Sequence, residues 1–315
     1  MVSARRSKFA YLACALGALS AAPPLVAQRD VPSGADVLFF EAYRRSDPIT
    51  NWPLKKTLHH IPELKGLTPA TDQSQLPEIL RRVGENLQNF VENFINTAAL
   101  ETIEETEKGG FGRTPQRIVE KFRYLMLARP EGSAFSLVEY RTDLQGREEP
   151  PKKLNKNFIK TTGFVSMPLF FGPLEQPLSD FRHLGQQTID GRRTEAVAFA
   201  EHVWPAAVMG RLVIGDASVP LLLQGVAWIH ASDYQILRMR TDLLAPLPPL
   251  TRVTTIALYA NNQFEGSPAA FWLPQEVKVT VDLGTLAFAN RHTYSDYRLF
   301  RAESVIKPDS AAQHP

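Results

Sequence analysis

A single cysteine, Cys14, occurs in 315 residues, and it lies within an apolar N-terminal run rather than closing it, where a lipid-accepting cysteine would stand. The chain beyond that run therefore has no disulfide, no thiolate metal site and no cysteine nucleophile. Excess charge is lacking too. The 35 basic residues include Arg5, Arg6 and Lys8, so beyond the first eight residues 32 remain against 33 acidic ones. A nucleic-acid binder needs a basic excess to replace counterions along the phosphates, and a nucleic-acid partner is excluded on that ground. No apolar run reaches the roughly 20 residues that a spanning helix needs. The run Phe9 to Ala22, behind its basic start and before Leu25-Val26-Ala27-Gln28, reads instead as a secretory signal at 1–27, cut after Ala27. A periplasmic or secreted location and no stable membrane span follow as expectations.

Signatures of catalysis are scarce. His59 and His60 are adjacent and diverge on either a strand or a helix. His183, His202, His230, His292 and His314 lack the i, i+4 spacing of a helical zinc motif, so neither metal nor cofactor is expected. Ser218 in Gly215-Asp-Ala-Ser-Val-Pro lacks the second glycine of a nucleophile elbow. Gly109-Gly110-Phe-Gly112 lacks the Lys-Ser/Thr of a P-loop and reads as a hairpin turn. Glu101, Glu105 and Glu107 share a strand face near Glu104, and a solvated face accounts for them without acid/base chemistry. A non-enzymatic protein is expected.

What is present is periodicity. From 28 to 75 the chain is an arm in which Pro32, Pro48, Pro53, Pro62 and Pro69 forbid a long helix or central strand, with a short helix expected around Ala35 to Arg45. Leu76, Leu80, Val83, Leu87, Phe90 and Phe94 recur at steps of four and three, one stripe of an amphipathic helix. Ser74 is its expected cap, with Pro77 in the first turn. Beyond Ile95 the texture is that of strands. Val277, Val279 and Val281 alternate with Glu276, Lys278, Thr280 and Asp282. Asp190-Gly191 between two apolar segments is a hairpin signal, and Leu221 to Ile229 with Tyr234 to Thr241, and Gln275 to Val281 with Thr285 to Tyr297, repeat the unit. About ten strands in an antiparallel meander are expected. Two breaks stand out besides the proline-stiffened connector Leu243 to Leu250: a basic loop at Lys152 to Lys160, and Gly163 to Pro173, apolar yet broken by glycine and proline. An apolar segment that cannot be a strand must cover something.

The order of an exported start, an amphipathic helix and an antiparallel meander resembles the periplasmic lipoprotein-carrier (outer-membrane lipoprotein sorting) superfamily over residues 76 to 300. The phrases Leu87-Gln-Asn-Phe-Val-Glu-Asn-Phe, Ile189-Asp-Gly-Arg and Val226-Ala-Trp-Ile-His-Ala are similar too, His230 standing where the family more often has an acid. Ile61-Pro-Glu-Leu-Lys-Gly-Leu and Thr142-Asp-Leu-Gln-Gly-Arg look like runs in secreted bacterial proteins of unassigned function. The resemblance implies a mainly β (α+β) fold: a curved antiparallel sheet or half-open barrel with the helix against its concave face. The domain is expected at 76–303, and 304–315 reads as a disordered tail. It implies a carrier for lipidated or apolar ligands, with a lipid or lipoprotein acyl chain as partner. Phe164, Met167, Leu169, Phe170, Phe171 and Trp228 are the candidate ligand-binding residues, and Trp204 and Trp272 are further large apolar groups. The alternative is an envelope protein-interaction module that engages a protein partner through the arm or a sheet edge and leaves the concavity filled by its own side chains.

Overall fold

The computed structural model describes residues 15–16, 40–94, 96–108, 116–131, 134–147, 163–203, 210–214, 217–248, 250–264, 270–284 and 286–299. Most of the expected signal with its cut after Ala27, the turn at Gly109 to Gly112, the loop Lys152 to Lys160, Trp204 and the tail 304–315 lie outside them.

Eleven strands form one antiparallel sheet: β1 (Thr68–Pro69), β2 (Thr97–Lys108), β3 (Gln116–Glu131), β4 (Ala134–Thr142), β5 (Ser179–Ile189), β6 (Arg192–Glu201), β7 (Leu223–His230), β8 (Ile236–Leu243), β9 (Arg252–Gln263), β10 (Ala270–Leu283) and β11 (Leu286–Leu299). Their spatial order is β1-β5-β6-β7-β8-β9-β10-β11-β2-β3-β4. The last strand therefore pairs with the first long one, Tyr294 facing Glu101. The outer strands β1 and β4 do not pair with each other, so the sheet is a half-open barrel. A smaller sheet joins the hairpin Gly210–Ile214 and Ala217–Leu221 to Ala15–Leu16.

The hairpin read at Asp190-Gly191 links β5 to β6, with φ of 48° and 76° at its two central residues, the left-handed pair that a tight primed turn requires. The expected helix is α2 (Leu76–Asn93), preceded by α1 (Leu54–His60). Pro77 sits in its first turn as expected, whereas Ser74 does not cap it. The Ser74 hydroxyl donates instead to Asp72 Oδ1 at 2.5 Å, closing a turn just before the helix, and Gln75 takes the cap position without a side-chain bond. Of the short helix expected near Ala35 to Arg45, residues 40–44 are helical.

Two apolar cores lie on opposite faces of the sheet. On the inner face, Ile79 and Val83 of α2 and the segment 163–172 pack onto Val197, Phe199, Met239, Ala257, Val277 and their neighbours. On the outer face of β5, β6 and β7 the arm folds back, and Ile49, Ile61 and Leu64 cover Leu184, Ala196, Ala198, Val226 and Trp228. Strands covered on both sides lose their alternation, which is why Thr194 to Glu201 and Leu223 to Ile229 are buried without interruption while β10 alternates.

Candidate functional site

The site grows from the apolar segment 163–172, which lies across the inner face as a lid. Gly163 opens it at a φ of 94°, which a side chain would strain, and Met167–Phe171 make a short 3-10 turn with Pro168 at its start. Phe170 and Phe171 rest on Phe199 with ring centres 5.1 and 5.6 Å apart, Phe171 meets Phe181 at 5.1 Å, and Phe164 stands edge-on to His292 at 5.0 Å. The structure thus brings Phe164, Met167, Phe170 and Phe171 together in the inner core with Leu169 half-buried beside them. It does not bring Trp228 to them. That ring belongs to the outer core, where its Nε1 donates to Gln187 Oε1 at 2.8 Å.

Polar groups hold the two ends of the apolar lid. Glu139 of β4 accepts hydrogen bonds from the Gly163 and Ser166 amides at 2.9 and 3.0 Å, from the Ser166 hydroxyl at 2.7 Å, and from the Tyr124 hydroxyl. The Tyr259 hydroxyl holds the Phe164 carbonyl at 2.8 Å. At the far end Gln176 donates to the carbonyls of Leu80 and Phe171 at 2.9 and 2.7 Å. Gly84 allows this approach, since a Cβ there would stand 3.1 Å from the Gln176 amide nitrogen. One carboxylate and one carboxamide fasten the two ends of a greasy cover.

Next to this latch Glu101 is fully buried and forms a two-point ion pair with Arg141, whose second contact is 2.7 Å. His292 Nδ1 donates to Glu101 Oε1 at 2.9 Å and the Tyr294 hydroxyl at 2.8 Å. Burial by itself pushes the Glu101 carboxyl up, but the guanidinium and these hydrogen bonds outweigh it and hold the group down at about 2. Burial lowers His292, keeping its ring neutral. The expectation of a wet face at Glu101 and Glu105 is therefore corrected: both are buried. The reason is a cross-strand partner. Tyr124 faces Arg141 in the β3–β4 register and Tyr294 faces Glu101 in the β11–β2 register, so side chains remote in sequence converge on one carboxylate. Glu101 is locked as an anion among committed partners, an arrangement that fixes three strands.

Two openings adjoin this region. A cleft of ≈ 150 Å³ lies between α2, the lid and the starts of β9's partner strand β10 and of β8, lined by Phe90, Phe271 and the half-buried Trp272 among others. A second of ≈ 240 Å³ lies at the β1 edge beside Asp72, Gln186 and His183, whose Nε2 contacts Glu195 at 2.9 Å. Among the described residues no cluster of three or more His, Cys, Asp or Glu could hold a metal ion. Among them, too, no helix is long and apolar enough to cross a membrane.

No family model and no curated protein matches the chain. Among solved structures it is similar to an outer membrane lipoprotein-sorting protein domain from Vibrio parahaemolyticus (11% identity, 71% of this chain and 93% of that one, TM-score 0.40). It is also similar to a DUF1329 family protein from Desulfovibrio piger (10%, 72% and 94%, 0.37) and a LolA superfamily protein from Nitrosomonas europaea (11%, 72% and 94%, 0.33). The first and third bear descriptions from the lipoprotein-carrier superfamily that the sequence resembles. At such scores they carry no argument of their own, and the fold rests on the strand register given above.

Proposed function

We propose that the protein is an exported, non-catalytic binding protein or carrier for lipidated or apolar ligands, and that the lid's own rings occupy the ligand's place when none is bound. The observation that carries this reading is the lid: an apolar segment without sheet pairing, held over an apolar sheet face by polar ties at its two ends. Ties of this kind exchange readily with water, while the rings of Phe170 and Phe171 and an incoming acyl chain are interchangeable coverings for Phe199 and Phe181. Each acyl methylene buried in their place contributes about 0.8 kcal/mol, so several suffice to offset the displaced aromatics. Binding and release then need no covalent step. Native mass spectrometry of the purified protein tests it: retained lipid, or uptake of a long-chain fatty acyl probe that a cysteine pair clamping the lid to β6 prevents, is the expected result. Protein that neither retains nor takes up an acyl chain defeats the reading.

A second reading, an envelope interaction module, is favoured by the filling of the inner face with the chain's own side chains. It predicts that lid-clamped protein keeps its full activity toward a protein partner.

A further inference from the structure

The cleft of ≈ 150 Å³ beside the lid has an unusual lining: among the described residues that form it, none is charged. Its polar groups are carboxamides. Asn86, Asn89 and Asn93 are spaced i, i+3, i+7 on one face of α2, and Gln235 faces them from the turn before β8. The Asn86 amide donates to the Asp233 carbonyl at 2.7 Å and so pins α2 to that turn, and Asn93 donates to the Asn89 carbonyl at 2.8 Å, so both keep their side-chain oxygens as acceptors. Asn89 is exposed at the mouth. The apolar wall is aromatic: Phe90 and Phe271 meet edge to face with centres 6.0 Å apart, and Trp272 flanks them.

This combination discriminates by charge. The Arg192 guanidinium lies over the Trp272 ring, 5.9 Å from its centre, and is engaged there in a cation–π contact; a sulfate, phosphate or ammonium group entering the cleft would therefore shed water against a described lining that carries no charge of its own, a costly desolvation. Hydroxyl and amide groups, donors and acceptors at once, would exchange their water for carboxamides that are likewise both. The volume suits a group about the size of a benzene ring. A whole acyl chain does not fit, but the carbons next to a head group do. We propose that the cleft recognises the neck of an uncharged amphiphile, its sugar or amide head against the asparagines and Gln235 and its first carbons against Phe90, Phe271 and Trp272. This rests on the apolar-ligand reading above and assigns it a head-group class.

Three probes with one tail test it by titration calorimetry below their micelle concentrations: octyl glucoside, octyl sulfate and octyltrimethylammonium. Octyl glucoside is expected to bind at least about tenfold tighter than either ion, a difference of one well-made hydrogen-bond set. The Asn89→Asp, Gln235→Glu double variant, altered only at the mouth, is expected to lose about tenfold toward the glucoside and to gain toward the ammonium. Equal binding of all three probes overturns the head-group assignment and leaves the apolar-ligand reading standing. Glucoside affinity unchanged by both the double variant and Trp272→Leu also overturns it, by placing the site elsewhere. Failure of every octyl probe in protein that still takes up a long-chain acyl probe overturns the cleft alone; failure of both overturns both.

Discussion

Glu101 and Glu201 are the same residue type, both buried on the inner face, and they are driven in opposite directions. Glu101 meets Arg141, His292 and Tyr294. Glu201, at the end of β6, accepts the Leu223 amide at 2.6 Å and has Glu175 nearby. Burial raises both carboxyls; in Glu201 it prevails and is reinforced by Glu175, pushing the group up to about 8, whereas in Glu101 the guanidinium reverses it. Depth decides the size of the penalty, and the partner decides its sign. The two also differ in duty. The first stitches together β2, β4 and β11, while the second lies beside the residues that follow the lid.

The largest effect is expected from breaking the paired side. Glu101→Gln leaves a buried guanidinium without its anion and should destabilise the fold by about 3–5 kcal/mol in urea unfolding at pH 7, most of it recovered when Arg141→Met is added. Equal losses in the single and double variants would show that Arg141 is not the controlling partner. Because the folded state lowers the Glu101 carboxyl, its contribution is complete above the ordinary carboxylate value and is lost as pH falls toward about 2. Glu201 has the opposite slope: its folded-state value is raised, so its contribution is complete below about 4.5 and is lost as pH rises through about 8. Glu201→Gln, which keeps the acceptor for Leu223, should therefore be more stable than the native protein at pH 9, by roughly 1–3 kcal/mol, with the advantage gone at pH 4. A difference that does not vary with pH would contradict the assignment. The smallest effect sharpens the boundary between the two regions. Ser166→Ala removes one bond to Glu139 and should cost about 1 kcal/mol, read as faster amide exchange over 163–172 while the exchange of β10 is unchanged.

What the sequence disclosed followed from local periods. The stripe from Leu76 to Phe94, the alternation at Val277 to Val281 and the turn at Asp190-Gly191 each declare themselves within a few residues, and each stands where it was expected. The lid was legible as a cover because Gly163 to Pro173 is apolar without a strand's regularity. Glu101 was misread because the wetness of a strand face depends on what faces it, and Arg141 and His292 lie 40 and 191 residues away. Trp228 shows the same limit. Nothing local in Val226-Ala-Trp-Ile distinguishes the two faces of a strand that is covered on both, and the arm that covers the outer one reads only as a proline-rich stretch. His183 against Glu195 and the carboxamide row on α2 also escaped, the first because its partner sits on the adjacent strand, the second because asparagines on a helix read as ordinary solvated positions.

The seam between β11 and β2 has a consequence for how the chain comes to be complete. Every other long-strand pairing in the sheet joins segments close in sequence, but this one waits for the final strand to close onto β2, whose residues lie almost two hundred positions earlier. Until then both β2 and β10 present unpaired backbone, each a template for a stray strand. A polypeptide ending before Leu286 would keep two raw edges in the middle of its sheet, so shortening at this end is punished by association between molecules rather than by a graded loss of stability.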